Sequence, residues 1–301
     1  MTTAASDPAK KLKDFKPKHK HFVGIDSDGC AFDTMEIKQK ECFIPNIIKH
    51  WQLQAISKYT REAAEFVNLY SEWRGINRWP ALLMVFDLLR ERPEVQRRRV
   101  QIPDVASLRA FAKSGKPLSN QSLKEEVQRT GDPILTKALA WSEAVNAAIE
   151  DMVKGVPPFP FMRESLEKLN DHVDAVVVSQ TPTEALVREW QEHDIDRYVE
   201  IIAGQEMGTK SEHIKFASEG RYERDRVLMI GDALGDYKAA RDNHACFFPV
   251  NPGGEEESWQ RFHDEGIDKF LNGKFAGEYE QSLFADFKKH LPSTPPWKRT
   301  H

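Results

Sequence analysis

With 301 residues, of which 40% are hydrophobic and 30% are charged, the chain is long enough to bury a sizeable core and to form a main domain and a smaller one. The formal net charge of −4 gives no reason to expect a nucleic acid or an anionic lipid surface as a partner, and no apolar stretch reaches the roughly 18 residues of a membrane-spanning helix. Three cysteines without a C-x-x-C pair favour free thiols in a reducing compartment, so we expect a cytoplasmic protein. The sequence shows no sign of an obligatory protein partner.

The first twenty residues are rich in lysine and lack the apolar segment of a secretion signal. A charged segment with few apolar residues does not bury enough surface to offset the entropy lost on folding. We therefore predict a disordered basic tail over residues 1–20.

Short apolar runs rich in β-formers recur along the chain and predict five strands: Phe22 to Ile25, Ala175 to Val178, Glu200 to Ala203, Val227 to Ile230, and Ala245 to Val250. Continuous apolar runs are typical of strands that are covered on both faces. Helical patterns lie between the later strands, at Thr183 to His193, Ser211 to Ser218, and Asp236 to Asn243. This alternation predicts an α/β protein with a doubly wound parallel sheet.

Residues 35–159 contain no convincing strand pattern and are helical in character. Apolar residues recur at helical spacing in Glu62 to Trp73, Trp79 to Arg90 and Val105 to Lys113, and Asp132-Pro133 predicts the start of a helix that ends near Gly155. A helical insert of this size can bury its own small core. We therefore predict a helical domain over 35–159 and an α/β core made of 21–34 and 160–301, with the aromatics after Val250 packing helices onto the sheet.

Polar residues follow the predicted strands where the carboxyl ends of parallel strands meet at one crevice. They are Asp26, Asp28, Ser179, Lys210, Asp232 and Asp236. Two carboxylates one residue apart and partly desolvated repel each other, unless a cation or a shared proton offsets the repulsion. Mg²⁺ prefers oxygen ligands, and a lysine and a hydroxyl can stabilise phosphoryl oxygens. The pattern therefore predicts a divalent-metal site for phosphoryl transfer.

The same residues carry a resemblance to a known family. The run from Asp26 to Thr34, DSDGCAFDT, resembles the first motif of the haloacid dehalogenase superfamily, commonly D-x-D-G-T/V-L-x-D-S/T. Val176-Val177-Val178-Ser179 is similar to the second motif, Lys210 to the third, and Gly231-Asp232 with Asp236 to the fourth. The order and spacing agree from about residue 21 to 250. A helical insert directly after the first motif resembles the cap of the β-phosphoglucomutase and phosphoglycolate phosphatase branch.

The resemblance implies a role for each matching residue. Asp26 would be the nucleophile that forms an aspartyl-phosphate, and Asp28 would be the acid and base. Mg²⁺ would be held by the Asp26 side chain, the Asp28 backbone carbonyl, Asp232, and Asp236 directly or through water. Ser179 and Lys210 would hold phosphoryl oxygens, helped by backbone N–H groups near Ser27 and Gln180. An aspartate at position 28 argues against dehalogenase chemistry.

Two positions depart from the family pattern. Cys30 stands where many relatives have Thr or Val, and Phe161 stands where relatives often have Gly at the return from the cap. We expect Cys30 to be a small buried packing residue rather than a redox-active thiol.

The predicted insert contains Arg74-Gly75-Ile76-Asn77-Arg78, which resembles the specificity loop of this branch. Arg74 and Arg78 could bind a second anionic group of the substrate. A connection between helices with solvated arginines is the alternative, and the sequence leaves both open.

The function that these observations predict is hydrolysis of a small phosphorylated metabolite by a Mg²⁺-dependent phosphatase. Two alternatives remain open. A phosphomutase of the β-phosphoglucomutase type would use the same residues to return the phosphoryl group to another hydroxyl. A non-catalytic protein would bind the phosphorylated metabolite without turnover.

Overall fold

The computed structural model describes residues 7–298, and the chain divides into two compact units. The first, here called the sheet unit, consists of the chain through Thr34 together with Gly155–His290. The second, the helical unit, consists of Met35–Lys154 with Leu291–His301. The segment that begins at Leu291 therefore groups with the helices, although the sequence placed it with the α/β core.

Within residues 7–298, the sheet unit contains five parallel strands: β1 His21–Ile25, β2 Val173–Val178, β3 Ile201–Ala203, β4 Val227–Gly231 and β5 Cys246–Pro249. Their order is β3-β2-β1-β4-β5, and every neighbouring pair is parallel. The chain therefore builds one half of the sheet outward from β1 and then returns to build the other half, which confirms the doubly wound α/β prediction. The carboxyl end of β1, where Asp26 follows, lies at the point where the direction of winding reverses.

Burial explains why the strands read as continuous apolar runs. Every residue of β2 and of β4 is buried. Strands covered on both faces have no solvated side, so the alternation of apolar and polar residues disappears. This is the reason that these five elements are visible in the sequence.

The longer helices of the sheet unit follow the strands. They are Met162–Leu169, Thr183–Glu192, Lys210–Ser218, Leu234–Asp242 and Glu278–His290, with shorter helices at Glu255–Arg261 and Ile267–Leu271 joined by a π-helical turn at Phe262–Gly266. Short 3₁₀ turns lie at Asp196–Tyr198, Gln205–Met207 and Arg224–Arg226. Among the aromatics after β5, Trp259, Phe262 and Phe270 are fully buried in the core, which confirms their predicted packing role.

The predicted disorder of the N-terminal tail is wrong for residues 7–20. This segment contains a short helix at Lys10–Lys13, and its Leu12 is fully buried. The backbone N–H groups of Lys18 and His19 donate to the carboxylate of Asp174 in β2, at 3.1 Å each. The buried side chains of Ala9, Leu12 and Phe15, together with a buried acceptor, therefore hold a segment whose composition alone predicts disorder. Residues 1–6 of the predicted tail lie outside the described residues.

Phe161 occupies the position where the resembling family often has glycine. Its φ of +66° lies in the left-handed region, directly before the helix Met162–Leu169. A residue with a Cβ costs roughly 1–2 kcal/mol in that region, whereas glycine adopts it freely. The ring packs against the core of the sheet unit, which offsets part of this strain.

The helical unit has its own core. Its helices are Thr34–Ile37 continuing through a π-helical stretch Lys38–Phe43 into Ile44–His50, then Ser57–Asn68, Arg78–Glu91, Pro93–Arg97, Ala106–Ala112, Asn120–Thr130 and Pro133–Met152, with a 3₁₀ turn at Gln54–Ile56. The Asp132 carboxylate accepts the N–H groups of Ile134 and Leu135, which confirms the predicted cap. The core includes Trp79 and Trp141, which pack edge to face at 5.8 Å.

The C-terminal segment contributes to this second core. After Leu291, a 3₁₀ turn at Pro296–Lys298 presents Trp297, whose ring lies 5.9 Å from that of Phe66. The buried guanidinium of Arg92 lies between Trp297, at 4.4 Å, and Tyr59, at 4.6 Å. Cation–π contacts in a desolvated setting therefore join the end of the described chain to the helices. None of the helices in residues 7–298 is long and apolar enough to span a membrane.

Candidate active site

Carboxylates from two strand ends meet in the sheet unit. Asp26 directly follows β1, and Asp232 and Asp236 follow β4. Each of the three is nearly or fully buried, and one oxygen atom from each lies within 4.8 Å of the others. Among the described residues, this is the group whose donor atoms are close enough to hold a metal ion.

Lys210 lies in the middle of these carboxylates. Its Nζ is 2.8 Å from Asp26 Oδ2 and 2.6 Å from Asp236 Oδ1. The lysine is the first residue of the helix Lys210–Ser218, which begins with a capping box: the hydroxyl of Thr209 accepts the N–H of Glu212, and the Glu212 carboxylate accepts the N–H of Thr209. The local sequence therefore fixes where the helix starts and hence the position of Lys210.

Burial and mutual repulsion shift the pKa values of this group. Burial raises the pKa of Asp26 well above its usual range; Lys210 opposes that shift, and Asp236 and Asp232 add to it. Burial also raises the pKa of Asp236, again opposed by Lys210. Burial alone would lower the pKa of Lys210, but the neighbouring carboxylates outweigh it and the pKa is raised. One ammonium group among three carboxylates leaves an excess of negative charge that a proton or a divalent cation would offset.

Asp236 reaches Lys210 because Gly231 leaves room for it. A Cβ placed on Gly231 would lie 2.4 Å from the Cβ of Asp236. The other carboxylate oxygen of Asp236 accepts the N–H of Ala233 at 3.1 Å, which caps the helix Leu234–Asp242. The glycine of the Gly-Asp pair is thus required for space, and Asp236 serves the helix and the cluster together.

Asp28 has a different environment. Thr34 Oγ1 donates to Asp28 Oδ1 at 2.6 Å, and the Thr34 side chain is fully buried. The Asp28 side chain does not belong to the group of three clustered carboxylates found among the described residues. The sequence quoted Thr34 only as the end of the motif, so its contact with Asp28 was missed. The structure thus gives Asp28 a specific orienting partner.

The other predicted site residues make contacts of their own. Ser179 is buried and its hydroxyl accepts the N–H of Thr181 at 3.2 Å. The Gln180 side chain donates to the carbonyl of Gly208 at 2.9 Å, so it joins the loop after β2 to the loop before Lys210. The Ser27 hydroxyl is bonded to Glu189 and Trp190, two residues that no motif pointed to. The three side chains therefore have defined neighbours within the sheet unit.

Arg74 and Arg78 both lie in the helical unit and both bond within it. Arg74 is 5% exposed, and its Nη1 donates to the carbonyl of Leu69 at 2.9 Å. Arg78 donates to Ser142 Oγ at 2.6 Å and to Asn146 Oδ1 at 2.8 Å. Burial lowers the pKa of Arg78 to about 10. The alternative of two solvated arginines does not describe Arg74, and their predicted binding of substrate stays a prediction.

Cys30 is a packing residue, as expected. Its side chain is fully buried in the core of the sheet unit, and its carbonyl accepts the indole N–H of Trp259 at 2.8 Å. Burial raises the pKa of the thiol well above its usual range, with the nearby carboxylates adding to the shift. The thiol is therefore protonated and is not a nucleophile at neutral pH.

Comparison with known proteins gives one family match and several similar solved structures. Residues 111–249 match the family model of the haloacid dehalogenase-like hydrolases. No curated protein matches the chain. Among solved structures, the chain is similar to a candidate phosphatase from Clostridium difficile, with 21% identity over 77% of this chain and 86% of the other and a TM-score of 0.42. It is also similar to a candidate phosphoglycolate phosphatase from Lactobacillus delbrueckii subsp. bulgaricus, with 19% identity over 85% and 99% and a TM-score of 0.47. A candidate β-phosphoglucomutase from Thermotoga maritima is 15% identical over 76% and 84%, with a TM-score of 0.40.

The sheet unit thus has a doubly wound parallel sheet with three buried aspartates and a lysine at its strand ends, and this site is suited to a cation. Residues 111–249 match the haloacid dehalogenase-like hydrolases, the family that the motifs of the chain resemble.

Proposed function

We propose that the protein is a Mg²⁺-dependent phosphatase that hydrolyses a small phosphorylated metabolite through an aspartyl-phosphate on Asp26. The observation that carries this proposal is the contact of Lys210 with Asp26 and Asp236 inside a buried group of three carboxylates. A carboxylate next to an ammonium group and a cation can attack a phosphoryl group, because the positive charges offset the repulsion between two anions.

The residues present fit a Mg²⁺ ion. Asp26, Asp232 and Asp236 offer hard oxygen donors, and their buried negative charge exceeds the single positive charge of Lys210. Mg²⁺ favours carboxylate and carbonyl oxygens and keeps several waters. These three aspartates would hold the ion, with the backbone carbonyl of Asp28 as the further ligand that the family resemblance implies. When bound, the ion would neutralise charge that develops on the phosphoryl oxygens.

The protein residues would carry out two displacements. In the first, an Asp26 oxygen forms a bond to phosphorus, the bond to the leaving oxygen breaks, and Asp28 gives that oxygen its proton. In the second, Asp28 takes a proton from a water molecule whose oxygen attacks phosphorus, and the bond between phosphorus and Asp26 breaks. Ser179 and Lys210 would hold phosphoryl oxygens, and Thr34 would keep Asp28 oriented for both proton transfers.

We also propose the sheet unit as the catalytic core and the helical unit as the cap that sets the choice of substrate. Binding of an anionic substrate group by Arg74 and Arg78 belongs to this proposal. In the described conformation both arginines donate to groups of the helical unit. The cytoplasmic location stays a prediction.

The test is phosphate release from p-nitrophenyl phosphate with Mg²⁺, compared between the wild type and Asp26→Asn. We expect the substitution to reduce kcat by about 10³-fold or more, because it removes the nucleophile. Chelation of the metal with EDTA should abolish the activity, and added Mg²⁺ should restore it. Equal rates for the two proteins would refute the mechanism. Isomerisation of a sugar phosphate without free phosphate would identify a mutase, and metabolite binding without turnover would identify a non-catalytic protein.

A further inference from the structure

The hydroxyl of Ser27 makes two side-chain hydrogen bonds. Ser27 lies between Asp26 and Asp28 and is fully buried. Its Oγ lies 3.0 Å from Glu189 Oε2 and 3.0 Å from Trp190 Nε1. An indole nitrogen can only donate, so the hydroxyl accepts from Trp190 and gives its own proton to Glu189. Both the donor and an acceptor site of this hydroxyl are therefore in use.

The two partners are well suited to hold it. Trp190 is fully buried and packs edge to face on Phe32 at 5.9 Å, so its N–H is fixed in place. A carboxylate is a stronger acceptor of a hydroxyl proton than a neutral oxygen, so the bond to Glu189 is the stronger of the two. The partners are adjacent residues of one helix, Thr183–Glu192.

The same helix is anchored beside Ser179 at its other end. Thr183, its first residue, donates through its N–H and its hydroxyl to Glu206 Oε2, at 3.0 and 2.6 Å. Ser179 lies four residues before that start. The helix thus connects the segment of the nucleophile to the segment of the predicted phosphoryl-binding hydroxyl.

The backbone of Ser27 supports the turn that carries Asp28. Its carbonyl accepts the N–H groups of Cys30, Ala31 and Phe32, at 3.3, 2.9 and 3.1 Å. Its own N–H donates to Asp26 Oδ1 at 2.9 Å. A rotation of Ser27 would therefore move the nucleophile and the turn after it together.

We propose that Glu189 and Trp190 are positioning residues, which fix the Ser27 hydroxyl and thereby the geometry of Asp26 and Asp28 in the reaction. This inference rests on the proposed phosphatase function. Neither residue is proposed to touch the substrate. Their loss should therefore lower kcat and leave KM nearly unchanged, since a small displacement of reacting groups slows chemistry more than it weakens binding.

The experiment compares Glu189→Ala, Glu189→Gln and a control, Glu192→Ala, in the hydrolysis of p-nitrophenyl phosphate with Mg²⁺. Glu192 is an exposed glutamate at the end of the same helix. We expect Glu189→Ala to lower kcat by ~10 to 100-fold with KM within about twofold of the wild type. Glu189→Gln keeps an acceptor oxygen and should recover most of kcat. The control should match the wild type.

Two kinetic outcomes would overturn the proposal. One is an unchanged kcat in Glu189→Ala. The other is a Glu189→Gln variant as slow as Glu189→Ala, which would mean that the charge matters and the hydrogen bond does not. A common thermal midpoint for the variants and the control shows that loss of the fold does not cause the effect.

A second readout needs no turnover and separates this inference from the proposed function. The indole ¹⁵N–¹H signal of Trp190, assigned by its absence in Trp190→Phe, should move and exchange faster with solvent in Ser27→Ala. If the wild type releases no phosphate, the proposed function fails, while a moved signal still supports the link between Ser27 and the helix. An unchanged indole signal in Ser27→Ala overturns the positioning proposal whatever the activity.

Discussion

The sheet unit buries carboxylates in two places, and the two places differ in how their charge is satisfied. Asp174 in β2 is fully buried and accepts the N–H groups of Lys18 and His19 and, at 2.6 Å, the hydroxyl of Tyr222. At the candidate active site, the contacts to a cation that the described residues show are those of Lys210 to Asp26 and Asp236.

The difference shows which kind of burial indicates function. A carboxylate whose lone pairs are met by several donors is a structural anchor, because little is gained by a further ligand. A group of carboxylates with too few positive charges is stable only when another cation or proton joins it. Burial of charge is common to both places, and the crowding of three carboxylates around one ammonium group distinguishes the active site.

Within this comparison, the largest expected effect comes from removing Lys210 at the candidate active site. We expect Lys210→Met to lower kcat by about 10² to 10³-fold, because Lys210 would stabilise the transferred phosphoryl oxygens. Without the ammonium group the three carboxylates repel more strongly, so added Mg²⁺ should raise the thermal midpoint of the variant more than that of the wild type. Phosphate release and thermal unfolding measure the two effects.

The matched control is Lys215→Met, because Lys215 is an exposed lysine on the same helix. It should behave as the wild type in both assays. Equal kcat values for Lys210→Met and Lys215→Met would show that Lys210 has no part in catalysis.

Loss of the Asp174 carboxylate should lower stability and leave catalysis unchanged. Asp174→Ala leaves the N–H groups of Lys18 and His19 and the hydroxyl of Tyr222 without their acceptor, and we expect a loss of about 3 kcal/mol in the free energy of unfolding. Urea unfolding measures this loss. The kcat of the folded variant should equal that of the wild type.

Glu200→Ala is the control for this variant, since Glu200 pairs with the exposed side chain of Lys18 in the same segment. A surface ion pair of this kind contributes little to stability, so the control should be almost as stable as the wild type. A reduced kcat in folded Asp174→Ala would contradict the assignment of Asp174 as an anchor.

A third buried ionisable group, His213, sharpens the comparison by testing burial of a base. Burial lowers its pKa from 6.5 to about 4. The unfolded chain therefore takes up the proton first as the pH falls, so the folded state loses stability from about pH 6.5 down to about pH 4 and none further below. At pH 5 the loss should be about 2 kcal/mol relative to neutral pH.

The measurement is urea unfolding at pH 7.5 and pH 5 for the wild type, His213→Gln and His172→Gln. His213→Gln should lose about 2 kcal/mol less than the wild type between the two pH values, because it has no imidazole to protonate at this position. His172 is exposed, so its variant should follow the wild type. An identical pH dependence in all three proteins would show that burial of His213 does not couple to protonation.

The parts of the structure that the sequence revealed are those with a local signal. The strands are apolar runs covered on both faces, and Asp26, Ser179, Lys210 and Asp232 follow or precede them at positions that the topology brings together. The helix from Thr34 to His50 escaped notice because a π-helical stretch at Lys38–Phe43 interrupts the regular spacing of its apolar residues.

Contacts between distant segments had no local signal. Lys18 and Asp174 are 156 positions apart, and Ser27 and Glu189 are 162 positions apart. The residues next to each of them in the sequence therefore give no indication of the partner. The first of these contacts helps to order residues 7–20, and the second supports Ser27. Both required the three-dimensional arrangement of the sheet.

The two carboxylate oxygens of Asp236 couple the start of one helix to the position of Lys210 in the candidate active site. One oxygen closes the first turn of Leu234–Asp242, and the other bonds Lys210, which itself begins a helix. If either helix frays at this end, the contact between Asp236 and Lys210 is lost. Local opening, which usually affects helix ends independently, is here coupled between two helices through one side chain.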